Sequence, residues 1–388
     1  MKTLDNMLIC AILLLMHKTY RYRIYPTGKQ EKSLLSVLDA CRWLYNQLLE
    51  QRKTLWEKEK KGVTCYQQIA TFSKLAKQNT SLSCVYSQSR QNVAVRVDLA
   101  FKAFFRRCKA GEKPGYPRFK GKGWYDSFTY PQNNNSFKLT ENNTRIYLSK
   151  VGNVKITYHR KMQGTMKMCS VKRARTGKWY VMISCVDAPR QKVRPSKGQV
   201  GIDVGLKTFA VFSDGMMVEN PRFFKKSEKA LAKVQRKLAK QKKGSKERQK
   251  VKRVVSKVHE RISNRRDDFT HQQSRRIVNA YGTIVVEDLN IKSMVVNGQF
   301  PSIRKGIADV AWRSFLDKVS YKAESAGRTF QKVNPAYTTQ DCSGCGNRQV
   351  MKLPDRIYNC PVCGLSLDRD LNAARNILAV GLHSLALA

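Results

Sequence analysis

Two pairs of cysteines, Cys342-Ser-Gly-Cys345 and Cys360-Pro-Val-Cys363, are separated by fourteen residues. Two such Cys-x-x-Cys knuckles supply four thiolates, the donor set and spacing of a tetrahedral zinc site. A glycine follows each second cysteine (Gly346, Gly364). It permits the tight turn that points backbone amides at the sulfurs. No histidine and no other ligand type accompanies the four. The spacing therefore predicts a structural Zn²⁺ at Cys342, Cys345, Cys360 and Cys363, holding a short ribbon too small to fold without metal. The plainer alternatives are four free thiols or a redox pair.

Three carboxylates form a second candidate constellation. Asp203 lies in Val200-Gly-Ile-Asp-Val-Gly. Strand alternation puts Ile202 and Val204 on one face and Asp203 on the other, and Gly201 and Gly205 are expected to leave room for a bulky ligand. Glu287 ends the apolar run Ile284-Val285-Val286, where a lone carboxylate is costly unless something positive meets it. Asp370 lies in Leu367-Asp-Arg-Asp-Leu-Asn-Ala-Ala-Arg-Asn-Ile, at the start of an apolar helix. Singly, each has a plainer reading: Asp203 a turn residue, Glu287 a strand-end salt bridge, Asp368 or Asp370 a helix N-cap. Jointly, in a very basic chain, they suggest a two-Mg²⁺ phosphodiester site. Asp288 and Asp368 are near neighbours, and alternation turns Asp288 away from Glu287.

The elements that must position these groups fall into two halves. Residues 18–26 read as a strand with Tyr20, Tyr22 and Ile24 on one face and Arg21 and Arg23 on the other. Thr27 with Gln30 resembles a capping box. Leu34, Leu35, Leu38, Cys41, Tyr45, Leu48 and Leu49 then predict a helix to about Lys61. Further helices are expected over 66–78 and 87–109, the latter with Val93, Val97, Ala100, Phe101, Phe104 and Phe105 on its apolar side. A Gly/Pro-rich basic segment follows, and 125–187 reads as five short strands. This pattern predicts a small β-barrel with an inserted helical segment. A linker rich in charged and turn residues precedes Val200. Beyond it the pattern is α/β: a hairpin-like pair, a basic helical stretch, the strand at 283–287, and an amphipathic helix over 308–326 with Ala311, Phe315 and Val319 on one side.

The chain has 388 residues, with 74 Lys and Arg against 28 Asp and Glu, a formal net charge of +46. That excess argues against an ordinary metabolic enzyme, and the 41% apolar content argues against a disordered basic tail. Dense phosphates are the expected partner. The alternatives are an anionic membrane surface or a ribosomal-type RNA binder. Between residues 225 and 266 stand eighteen Lys and Arg against three Glu. That stretch is either a solvated helix pair or a surface for a nucleic-acid backbone. The eleven cysteines lack a secreted framework, so a reducing interior is expected. Met7–Met16 is apolar but too short to span a bilayer and is a poor signal peptide. Translation is expected to begin at Met16, with the preceding residues an upstream extension.

Taken together, these segments closely resemble the TnpB family, transposon-encoded RNA-guided DNA endonucleases related to type V CRISPR effectors. The resemblance is carried by Tyr20-Arg-Tyr-Arg-Ile-Tyr-Pro, Cys41-Arg-Trp-Leu-Tyr-Asn, Lys113-Pro-Gly-Tyr-Pro-Arg-Phe-Lys, Gly201-Ile-Asp-Val-Gly, Val286-Glu-Asp-Leu, the four cysteines and the segment around Asp370. It runs from about His17 to the last helix. It implies an α/β plus β-barrel architecture. A wedge barrel would occupy 17–27 and 111–190, and a helical recognition lobe 28–110. A RuvC-like nuclease of the RNase H fold would occupy 199–335 and 364–388, with a zinc ribbon at 336–363. It also implies that Asp203, Glu287 and Asp370 bind Mg²⁺, and that a guide RNA from the transposon end directs cleavage of double-stranded DNA beside a short motif. A monomer within the ribonucleoprotein, in the bacterial cytoplasm and on the nucleoid when bound to DNA, is implied, with no membrane partner. A transposase proper and a catalytically silent guided binder are the competing readings.

Overall fold

Alternation of apolar and basic residues makes the first strand, β1 (Leu15–Tyr25), in a computed structural model that describes residues 15–140, 142–190, 193–297, 300–352 and 355–387. Tyr20, Tyr22 and Ile24 are buried on its inner face, as their spacing predicts. The apolar leader before it lies outside the described residues. Thr27 caps helix α1 (Gly28–Glu59) through a complete capping box with Gln30. The predicted face of Leu34, Leu38, Cys41, Tyr45, Leu48 and Leu49 is buried.

The expected second helix is two short ones, α2 (Cys65–Ala70) and α3 (Phe72–Gln78), broken at Thr71. Helix α4 (Ser87–Lys109) matches its expected bounds. Its apolar face is shorter than predicted: Phe101 is buried, but Phe105 is 56% exposed one turn later. It is fastened to the following strand by Arg96, which donates to Ser127 O (2.6 Å) and Thr129 Oγ1 (2.8 Å).

Six more strands complete the first unit: β2 (Ser127–Tyr130), β3 (Phe137–Thr140), β4 (Arg145–Leu148), β5 (Gly152–Thr157), β6 (Thr165–Arg173) and β7 (Trp179–Pro189). Strand β3 went unpredicted because it is only four residues long and flanked by Asn-rich turns. The strands form one antiparallel sheet in the order β2-β6-β7-β1-β5-β4-β3. Its edges curl toward each other, since the ring of Tyr130 on β2 lies 6.4 Å from that of Phe137 on β3. The result is a nearly closed barrel.

The chain divides after Pro189 into a second unit. Strands β8 (Gln199–Asp203), β9 (Thr208–Phe212) and β10 (Met217–Glu219) form an antiparallel meander. Two basic helices, α5 (Phe223–Ala239) and α6 (Lys246–Ala280), pack on each other. Strand β11 (Thr283–Glu287) then joins β8 in parallel. Helices α7 (Ile291–Asn297), α8 (Pro301–Val310) and α9 (Trp312–Ser325) lead to β12 (Thr329–Val333), parallel to β11.

The helix expected over 308–326 is interrupted at Ala311, whose left-handed backbone (φ 59°) ends α8 and starts α9. Phe315 and Val319 are buried as predicted; Ala311 is the half-buried corner between two helices instead of a core position. The sheet order is β10-β9-β8-β11-β12. A two-stranded hairpin, β13 (Ile357–Asn359) and β14 (Ser366–Asp368), precedes the last helix, α10 (Arg369–Ala386). Among the described residues no helix is long and apolar enough to cross a membrane.

The central sheet has two distinct faces. Val200, Ile202, Ile284 and Val286 pack with Ile277 and Phe315 on one. Val285 and Val333 pack with Ile377 of α10 on the other. By the period of two along each strand, Gly201, Asp203 and Glu287 share the α10 side. The helix lies unusually close there. A Cβ on Gly201 would stand 2.2 Å from Ala374 O, and one on Gly381 would stand 2.3 Å from Val285 Cγ1. The room at Gly201 expected for a ligand is therefore taken by helix backbone. Gly205 likewise faces its own turn, 2.8 Å from Thr208 O.

Candidate metal centres

The register of β8 and β11 sets Ile202 opposite Val286, so Asp203 and Glu287 end neighbouring parallel strands at the same edge of the sheet. In an open α/β sheet that edge, beyond the carboxyl ends of the strands, is where ligands bind. Here β8 is also the strand at which pairing changes from antiparallel to parallel. Close packing of α10 on β8 brings the first turn of the helix to this edge, and with it Asp370. The plainer reading of Asp368 holds: its side chain caps α10 by accepting from Asp370 N (2.9 Å) and Leu371 N (3.2 Å). Asp370, two residues on, is left free of capping duty.

The Asp203 carboxyl feels the other two. Burial, followed by the charges of Glu287 and Asp370, pushes the Asp203 carboxyl up to about 8. Glu287 is also raised by burial, and a hydrogen bond donated by Thr338 Oγ1 (2.6 Å) opposes that rise. Asp370 is partly neutralised by Arg369, whose Nη2 lies 3.1 Å away. Asp288 has the opposite surroundings: it is exposed and paired with Lys332 at 2.9 Å, turned away from Glu287 as alternation predicts. A carboxyl raised first by burial and then by two like charges makes a site that a divalent cation would relieve. Carboxylate oxygens are the donors Mg²⁺ prefers.

The cysteine cluster is tighter. Among the described residues, only Cys342, Cys345, Cys360 and Cys363 bring three or more ligand atoms within 4.8 Å of one another. The Cys342–Cys363 sulfurs are 3.6 Å apart and the Cys345–Cys360 sulfurs 3.5 Å. A tetrahedron with Zn–S of about 2.3 Å has edges of about 3.8 Å, whereas a disulfide needs about 2.05 Å. Gly346 and Gly364 adopt the left-handed backbone (φ 76° and 73°) that folds each knuckle. The Cys360 thiol is lowered to about 6, chiefly by the Cys363 backbone amide, while Cys345 and Cys363, hydrogen-bonded to their neighbouring thiols, are raised. These donors and distances fit zinc.

The basic stretch is an anchored helix pair. Leu231, Val251 and Ile262 are its buried contacts, and most of its lysines and arginines stay in solvent. Asp309 accepts from the Phe224 amide (3.0 Å) and from Arg266 Nη2 (2.5 Å), tying the start of α5 to α6.

Thr338, Arg369, Asn372 and Asn376 were not singled out by their residue types. One signal was present: Asn372 and Asn376, four apart in an apolar helix, share a face that has polar work to do. Asn372 is fully buried.

Three family models match: "Helix-turn-helix domain" over residues 16–61, "Probable transposase" over 183–297 and "Cas12f1-like, TNB domain" over 312–377. In the structure, residues 16–61 form one strand and one unbroken 32-residue helix, with no helix-turn-helix. The chain is 32% identical to "Putative RNA-guided DNA endonuclease InsQ" of Escherichia coli (strain K12), over 94% of this chain and 92% of that protein. The chain belongs to the TnpB family. A relative from Streptomyces pristinaespiralis, "Putative RNA-guided DNA endonuclease", is also 32% identical, over 95% of this chain and 90% of its own length. Among solved structures, a cryo-EM structure of a Cas12f1–sgRNA–target DNA complex is similar at TM-score 0.58 and 16% identity, covering 94% of this TnpB-family chain and 98% of that one. That likeness concerns the fold.

Proposed function

We propose that this chain is an RNA-guided DNA endonuclease encoded by an insertion sequence, cutting double-stranded target DNA beside a short motif by phosphodiester hydrolysis. One observation carries the reading: Asp203, Glu287 and Asp370 converge at the carboxyl edge of the central sheet. The sheet order, an antiparallel meander continued by two parallel strands, supports a RuvC-like nuclease of the RNase H fold over 199–335 and 364–388. The names of the relatives support the guided reaction. In this reading 336–363 is a zinc ribbon, 17–27 and 111–190 a wedge barrel, and 28–110 a recognition lobe.

Each group has a part. Asp203 and Glu287 are held by the sheet, and Asp370 by the cap at Asp368 and by Arg369. Among the described residues the three do not bring a ligand atom each within 4.8 Å of one another, and Asp203, Glu287 and Asp370 would hold a pair of Mg²⁺ ions rather than one. When bound, such a pair stabilises the attacking and leaving oxygens of an in-line displacement. The cations along α5 and α6 hold nucleic-acid backbone, while pairing to a guide RNA from the transposon end supplies sequence. The protein works as a monomer in this ribonucleoprotein.

The test is Asp203→Ala in the guide-loaded protein. Mg²⁺-dependent cleavage is expected to vanish while guide-dependent DNA binding persists. Full cleavage by the variant would refute the site. Strand transfer of element ends, blocked by the same variant, would instead favour a transposase.

A further inference from the structure

One short segment touches both metal centres. Thr338 is 4% exposed, and its hydroxyl donates to Glu287 Oε1 at 2.6 Å. Four residues later the same segment supplies Cys342. Between these points it is fastened to α10 by two asparagines. Asn376 Nδ2 donates to Thr338 O (2.9 Å) and to Asp341 O (2.6 Å). Asn372 Nδ2 donates to Asp341 O (2.8 Å), and its Oδ1 accepts from Ser343 N (2.9 Å). The same helix carries Asp370 in its first turn. On the solvent side, Arg348 forks onto both oxygens of Asp341 (2.6 and 3.0 Å) and covers the Tyr337 ring at 3.6 Å. Tyr337 holds a left-handed backbone (φ 65°), which a side chain of its size adopts only when its surroundings impose it.

Thr338 and its bond to Glu287 lie outside the cysteine knuckle itself. The knuckle has its own hairpin and its own buried Tyr358. The asparagines reach from α10 to the segment that leads into the first knuckle, and Thr338 reaches from that segment to Glu287. A buried threonine hydroxyl can meet its hydrogen-bonding need on local backbone, and Pro335 O stands 3.2 Å away. It lies closer to Glu287.

We propose that Thr338 is a positioning residue for Glu287, and that residues 337–343, strapped to α10 by Asn372 and Asn376, make the cysteine knuckle the brace of the carboxylate cluster. The inference rests on the reading of Asp203, Glu287 and Asp370 as holders of divalent metal. The strap fixes the carboxylate's rotamer by a hydrogen bond to one oxygen, leaving the other for a cation. Such outer partners of a metal ligand typically govern affinity by about 10–100-fold.

The experiment compares Thr338→Val with Thr338→Ser in the full-length, guide-loaded, zinc-replete protein. Mn²⁺ binding is read by titration calorimetry and by EPR of the bound ion. Zinc content and guide-dependent DNA binding are measured alongside. Thr338→Val is expected to weaken Mn²⁺ binding about tenfold, with zinc content and DNA binding unchanged. Thr338→Ser, which keeps the hydroxyl, is expected to restore binding to within about threefold. Equal impairment in both variants would reduce Thr338 to a packing residue and overturn the proposal. So would parental Mn²⁺ affinity in Thr338→Val. Mn²⁺ binding that survives Asp203→Ala unchanged in the parent background would instead defeat the carboxylate reading beneath it.

Discussion

The cysteine cluster and the carboxylate cluster occupy the same unit and are built in opposite ways. Four sulfurs come from 22 consecutive residues, brought together by two tight turns and a short hairpin. The carboxylates come from the ends of two strands and the start of the last helix, so they exist as a group only when the sheet and α10 are assembled. A local cluster stabilises what it binds; a cluster built across a fold is itself held by that fold, and its like charges strain it. The first should govern stability and the second chemistry.

Two substitutions set that contrast most sharply. Cys342→Ser removes a ligand from the knuckle and should cost several kcal/mol, because structural zinc binding is folding free energy in small ribbons. Thermal unfolding and zinc content would both fall. Asp203→Ala should remove cleavage and leave the melting temperature unchanged or higher, since it deletes a half-buried carboxylate crowded by two others. A zinc-free variant with parental stability would break the comparison from one side. A destabilised Asp203→Ala protein would break it from the other.

Gly201→Ala comes next. The new Cβ would stand 2.2 Å from Ala374 O and 2.6 Å from Leu378 N, both backbone atoms that cannot swing aside. The helix must move off the strand, at a cost of about 2–4 kcal/mol. Because α10 carries Asp370, cleavage should fall even though no carboxylate is altered. Chemical denaturation and single-turnover cleavage, measured together, check this.

That substitution also marks where sequence reading runs out. The glycine was read as room for a ligand beside Asp203, because period and composition cannot say what approaches it. The occupant proved to be a helix from the far end of the chain. Strands β1, β8, β9 and β11, the capping box at Thr27 and the knuckle glycines were legible because each depends on neighbours within a few residues, whereas β3, β10 and β12 were not marked by any such pattern. The break at Ala311 was not, since alanine favours helix and no turn residue marks the left-handed backbone there. Thr338 escaped for the same reason: nothing near it in sequence indicates Glu287.

Protonation separates the clusters in a gentler way. The Asp203 carboxyl is raised to about 8 from an ordinary 3.8. The folded state therefore holds this proton more tightly than the unfolded state. Below pH 4 the group costs nothing; the cost grows as pH rises and is complete above about 8. Without divalent cation, Asp203→Asn should match the parent near pH 4 and exceed its stability near pH 8 by about 1–3 kcal/mol. Mg²⁺ should narrow that gap by stabilising the parent alone. Paired melting curves at the two pH values, with and without Mg²⁺, test the sign.

The smallest effect is expected at Asp288, and it tests how finely the strand's alternation separates roles. Asp288 directly follows Glu287, yet it is exposed and, among the described residues, pairs with the half-exposed Lys332. Surface pairs of this kind contribute about 0–1 kcal/mol. Asp288→Ala should therefore change stability by about 0.5 kcal/mol or less and leave the cleavage rate near parental. The one-residue step matters because successive side chains on a strand point to opposite faces. Loss of cleavage in Asp288→Ala with retained DNA binding would mean that the edge of the sheet is twisted enough for both carboxylates to serve the site. The assignment of the third ligand to Glu287 alone would then fall.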